Sequence, residues 1–141
     1  MAELRIVDDP HASEALRQIV RDHLDAHNIA ATGLTDYASV TLLLRDSREE
    51  VRGGLLGVLW GRCLHIQVLW VAESLRGHGH GRRLLAAAET LAAERGGLHA
   101  FLETFSFQAP LFYQKVGYEV FGEADDWPVG HTHYFLRKRL M

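Results

Sequence analysis

The 141 residues (15.9 kDa) are 48% hydrophobic and 23% charged, with a formal net charge of -3. That suits one globular domain over 1–141, able to bury a core without disulfide or metal staples, and it excludes a disordered chain. No apolar run reaches the ~18 residues of a membrane span. The start, Met1-Ala2-Glu3-Leu4-Arg5, lacks the basic-then-apolar order of a signal peptide, and the single Cys63 closes no internal disulfide. A cytoplasmic protein with no membrane partner is the expectation. The acidic balance argues against nucleic acid as a partner. Only Lys115 and Lys138 of the 15 basic residues are lysine, a usage that points to a GC-rich genome rather than to chemistry.

Leu4 to Val7 reads as a short strand. Asp9-Pro10 reads as a helix start, with Asp as N-cap and Pro at the first helical position. Ala12, Ala15, Leu16, Ile19, Val20, Leu24 and His27 follow at helical spacing, and the signal ends between Asn28 and Gly33. Ser39–Arg45, Val51–Trp60 and Leu64–Val71 are strand-like and form an antiparallel meander, the third buried on both faces. Gly53, Gly54 and Gly57 in the second indicate a bulge or a close backbone approach. A helix covers Arg82–Arg95, stopped by Gly96-Gly97. His99–Phe107 is a strand, Pro110–Val116 a short helix, Tyr118–Gly122 a strand, Glu123–Gly130 an acidic loop and Thr132–Leu140 a last strand. The strand–helix–strand unit in the middle pairs its strands in parallel. The expected fold is a mixed α/β (α+β) sandwich: a mostly antiparallel sheet of six to seven strands flanked by helices.

The most informative stretch is Val71 to Leu85 (VAESLRGHGHGRRLL). A buried strand ends, and a glycine-dense turn enters a helix. The first N–H groups of a helix have no internal partner and carry the positive end of its dipole, so this turn is an anion seat. Arg76, Arg82 and Arg83 crowd the same end, where each cation costs ~0.3–1 kcal/mol against the dipole. A bound polyanion would offset that cost; the plainer alternative is a glycine turn with solvated arginines. The strict alternation of Gly77, Gly79 and Gly81 fits neither the dinucleotide fingerprint nor the Walker pattern.

This stretch resembles the acyl-CoA motif of the GNAT superfamily of N-acyltransferases: Arg or Gln, two residues, Gly, one residue, then Gly or Ala. Arg76, Gly79 and Gly81 fill it, with Val71 at the preceding strand position. Ser106 to Tyr118 is similar to the superfamily's second signature, Asn-x-x-A-x-x-F-Y-x-K-x-G-F/Y. Ala109, Phe112, Tyr113, Lys115, Gly117 and Tyr118 match, and Ser106 stands where the family usually has Asn.

The resemblance implies central strands splayed around acetyl-CoA, used as co-substrate, between 64–71 and 99–107. It implies that main-chain groups of Leu69, Trp70 and Val71 hold the pantetheine and thioester. Gly77, His78, Gly79, His80, Gly81 and Arg82 then hold the pyrophosphate, with the Arg76 and Arg82 side chains assisting. Ser106 and Phe112 complete the cofactor side. Tyr113 matches the family's tyrosine general acid; the structural alternative is a core aromatic beside Phe112. His65 takes the place where some members carry a glutamate base, with Glu103 and Thr104 as rivals. Asp36, Tyr37, Glu103 and Trp127 are the acceptor-side candidates, beside the acidic loop residues Glu123, Asp125 and Asp126. The implied activity is transfer of acetyl to a small primary amine, the alternative being a non-catalytic CoA-binding module on the same fold. The family fold often pairs through its terminal strands, which makes a homodimer an expectation. His78, His80, His131 and His133 do not have the spacing of a zinc site, so no metal is expected.

Overall fold

The computed structural model describes residues 2–141, in two compact units, one ending at Thr35 and one over Asp36–Met141. In the first unit one helix, α1 (Glu14–Thr32), carries the apolar stripe of Leu16, Ile19, Val20 and Leu24 and has no buried residue. Its N-cap is Ser13, whose Oγ accepts from the Leu16 N–H at 3.2 Å. Asp9-Pro10 instead makes a turn closed by the Ala12 N–H on the Asp9 carbonyl. Both sites can cap a helix, but proline after Asp serves the second position of a turn equally well, and Ser13 stands next to the uninterrupted periodic run. Gly33 ends the helix in the left-handed conformation (φ 73°), donating to Ile29 O at 2.7 Å. The strand expected at Leu4–Val7 is absent; these residues are exposed and irregular. So short a segment becomes a strand only with a ladder partner, and Leu4–Val7 has none among the described residues.

The second unit is a six-stranded sheet: β1 (Ala38–Arg45), β2 (Val51–Trp60), β3 (Cys63–Val71), β4 (His99–Phe105), β5 (Glu119–Asp125) and β6 (Thr132–Arg139), in the order β1-β2-β3-β4-β6-β5. All neighbours are antiparallel except β3 and β4, joined through helix α2 (His80–Glu94). A short helix, α3 (Pro110–Lys115), links β4 to β5. The acidic stretch 123–125 expected as loop is strand, because β5 continues its ladder with β6 through Asp125↔Thr132 past an irregularity between Val120 and Gly122.

The core lies on the α2 face of the sheet. Leu84, Leu85, Ala88 and Ala92 of α2 are buried with Leu55, Leu59, Leu64, Ile66, Ala100, Leu102 and Leu136. β3 is therefore buried on one face only; Val68 and Trp70 are exposed on the other. The β2 glycines serve close packing: an added Cβ would stand 2.9 Å from Trp70 O at Gly53 and 2.8 Å from His65 O at Gly57. The register slips between Leu56 and Gly57, opposite Val68 and Ile66, so Gln67 is the extra residue of a bulge. No helix among the described residues is long and apolar enough to cross a membrane.

Candidate active site

The parallel ladder between β3 and β4 stops at Ile66↔Leu102. Beyond it β3 runs on through Val71 paired with β2, and β4 runs on through Phe105 paired with β6. The edges of residues 67–71 and 103–105 that face one another therefore share no ladder. The Gln67 bulge twists β3 where the two strands part. Leu69, Trp70 and Val71 sit on this free edge.

At the end of β3 the chain makes one short helical turn (Glu73–Leu75) and enters the glycine turn. Gly77 (φ 80°) and Gly79 (φ 83°) are both left-handed, a conformation other residues adopt only at a cost. Gly79 is the N-cap of α2, two residues earlier than the sequence suggests, and no side chain caps the helix. The first turn holds no acidic residue, so its N–H groups and dipole face outward uncompensated. The Arg76 Nε donates to Val71 O at 3.0 Å, tying the turn to the strand end. Arg83 meets the His80 ring at 3.2 Å. Arg82 makes no ion pair among the described residues, and His78 lies exposed near His80. Gly81 is neither left-handed nor crowded: an added Cβ would meet Phe112 at 3.7 Å and Val71 at 3.9 Å, ordinary contact distances. The fold itself does not require glycine there, and its open surroundings leave the amide accessible. The residues present fit a diphosphate-bearing ligand.

The contact that Gly81 shares with Phe112 brings the two sequence signatures together. Phe112 packs edge-on to Tyr113 at 5.1 Å, and Tyr113 to Tyr118 at 6.0 Å. The Tyr113 hydroxyl makes no hydrogen bond among the described residues. Burial pushes this phenol above its ordinary range, which keeps the proton on it. Tyr118 is committed elsewhere: its hydroxyl donates to Glu89 Oε2 at 2.8 Å, while Lys138 Nζ reaches Glu89 Oε1 at 2.8 Å and Val116 O at 2.9 Å. Ser106 locks the end of β4 to β6, its Oγ accepting from the Thr132 N–H at 3.0 Å. Gln108 folds back to accept from Phe105 N and from the Thr104 hydroxyl, which ends β4 two residues before the expected Phe107.

On the sheet face away from α2, the His65 ring packs against Phe101 at 4.9 Å, at a rung still inside the parallel ladder. Glu103 is the first β4 residue beyond the ladder. Trp127, from the β5–β6 loop, stands edge-on over His133 at 4.1 Å, and His133 Nε2 lies 3.3 Å from Glu103 Oε2. The structure thus brings Glu103 and Trp127 together around a histidine that sequence reading weighed only as a metal ligand. Asp36 and Tyr37 are not brought there. They lead into β1 at Ala38, opposite Leu59, which in turn pairs with Leu64, at the strand end remote from the split.

A profile of the acetyltransferase (GNAT) family matches residues 6–118. The chain is 38% identical over 141 residues to blasticidin-S acetyltransferase of Streptomyces morookaense, covering 99% of this chain and 98% of that protein. It is 32% identical over 135 residues to an acetyltransferase of Agrobacterium fabrum strain C58, covering 96% and 98%. The 1.9 Å crystal structure of an acetyltransferase from Bacillus cereus ATCC 14579 superposes with a TM-score of 0.85 at 31% identity, covering 96% and 97%.

Proposed function

The chain belongs to the GNAT acetyltransferase family, and from that premise we propose that it moves the acetyl group of acetyl-CoA to a small primary amine by direct attack. The observation that carries the reading is the uncapped, acid-free N-terminus of α2, opening beside the edge where β3 and β4 part. Acetyl-CoA supplies the acetyl group as an activated thioester. The α2 N–H groups from Gly79 onward and the Arg82 guanidinium hold its diphosphate. The free β3 edge at Leu69 to Val71 offers the main-chain groups that hold the pantetheine arm in an extended line. N–H groups on the same edge face the acetyl carbonyl as its oxygen gains charge.

Two protons move during the transfer. The acceptor nitrogen loses one as its electron pair forms the C–N bond. The sulfur gains one as the C–S bond breaks. Tyr113 donates the second, since its raised phenol stays protonated and its hydroxyl is uncommitted. His65, on the acceptor face just before the split, takes the first. In this reading residues 1–141 form one domain, the protein is cytoplasmic, and two copies pair through β5, the strand at one edge of the sheet.

The test is a panel of amines, blasticidin S first because of the named relative, assayed for thiol release from acetyl-CoA. Acceptor-dependent release supports the reading. Silence across the panel with acetyl-CoA bound points to a binding module instead.

A further inference from the structure

His133 is 2% exposed, and neither of its ring nitrogens has a hydrogen-bond partner among the described residues. Buried polar groups without partners are rare, because the water they lose is not replaced. Its walls are aromatic: Trp127 at 4.1 Å, Phe105 at 4.4 Å and Phe135 at 4.6 Å, the last with near-parallel rings. For packing alone, phenylalanine would serve better in such a box. Among the described residues its ion-pair partner is Glu103, whose Oε2 lies 3.3 Å from Nε2 without the alignment of a hydrogen bond.

Glu103 is the opposite case. Its side chain is 42% exposed, and it stands one residue past the last β3–β4 rung, at the mouth of the gap. Pairing of Glu103 with Phe135 and of Phe105 with His133 puts all four on one sheet face. The cation next along that face, Arg137, is held by Glu119 at 2.8 Å and covers Phe121 at 4.9 Å, so it does not neutralise Glu103.

We infer that Glu103 is the seat of a positively charged acceptor amine and that His133 is its positioning residue, holding the carboxylate at the gap from inside an aromatic box. The half-exposed Trp127 supplies the adjoining wall, where a ring face attracts a cation. This rests on the acetyl-transfer reading and names the class of acceptor, an amine that arrives protonated, releases that proton to water once seated, and passes its second to His65 as the C–N bond forms.

Initial-rate kinetics with the best amine of the panel test it, alongside thermal unfolding of each variant. Glu103→Gln, a change at a half-exposed site, raises the acceptor KM about 10- to 100-fold, as expected for loss of a charge-assisted contact, and leaves the acetyl-CoA KM within twofold. His133→Phe keeps the aromatic packing and removes the unpartnered nitrogens. Its unfolding midpoint holds or rises while the acceptor KM rises, and the double variant is no worse than Glu103→Gln alone. A purely structural histidine would leave the acceptor KM unmoved. Wild-type turnover, with Glu103→Gln or a folded His133→Phe within twofold of its acceptor KM, overturns this inference alone. No turnover with any amine overturns the acetyl-transfer reading and the inference with it.

Discussion

Tyr113 is half-buried against Phe112 and Tyr118, and its hydroxyl makes no hydrogen bond among the described residues. Tyr113→Phe keeps that packing and removes the proton donor, so kcat should fall by ~10²–10⁴ while acetyl-CoA affinity is unchanged. Equal turnover in the variant would return Tyr113 to the core. Its pH behaviour follows from the direction of its shift. Burial disfavours the phenolate, so the donating form persists above the ordinary tyrosine value of ~10. A pH profile of kcat should show no basic limb from Tyr113 below that value. A limb below it that disappears in Tyr113→Phe would contradict the assignment. Tyr113 and the glycine turn could be singled out in the sequence because each belongs to a local pattern, and the proposed reading gives each its role. His133 was not. Its meaning comes from the β4–β6 register that sets it beside Phe105 and within reach of Glu103, and no local window contains that pairing.

Helix α2 opens on a left-handed glycine, with no acidic residue in its first turn and with Arg82 and Arg83 working against its own dipole. Arg82→Glu should therefore stabilise the unliganded protein by ~0.3–1 kcal/mol and weaken acetyl-CoA at least tenfold. Thermal unfolding and a binding titration on one preparation read both. A variant that loses stability and keeps affinity would show Arg82 to be structural. The helices and strands around this end were readable because hydrophobic periodicity survives folding. Their ends were less so. Gly79 caps α2 from outside the apolar stripe, Gln108 stops β4 by a side-chain bond, and β5 runs on into an acidic stretch because β6 is there to pair with it. At Leu4–Val7 the apolar pattern had no strand to join. The first two departures are local backbone and side-chain effects; the last two are cases of tertiary pairing deciding what propensity left open.

Across residues 36–141, Glu89 of α2 receives both the Tyr118 hydroxyl and the Lys138 ammonium of β6. This joins the helix to β6. Tyr118→Phe removes a hydrogen bond to a carboxylate and should cost about 1.5–3 kcal/mol. Burial, then the Glu89 charge, push the Tyr118 phenol far up. The folded state keeps this proton where the unfolded state loses it, so the contribution is full below ~10 and declines as pH rises beyond that ordinary value. The unfolding midpoint should fall above pH ~10, less steeply in Tyr118→Phe; equal slopes in the two proteins would contradict the coupling.

At the scale of the whole molecule, the proposed function makes stability depend on acetyl-CoA. An acetyl-CoA concentration of about 100 times Kd adds ~2.7 kcal/mol of stability if only the folded state binds. The most direct measurement is a calorimetric titration of acetyl-CoA into the folded protein, repeated with Arg82→Glu. We expect a saturable one-site heat in the first and at least tenfold weaker binding in the second. No heat from folded wild-type protein, or the same affinity in both, would contradict a diphosphate seat at the α2 N-terminus.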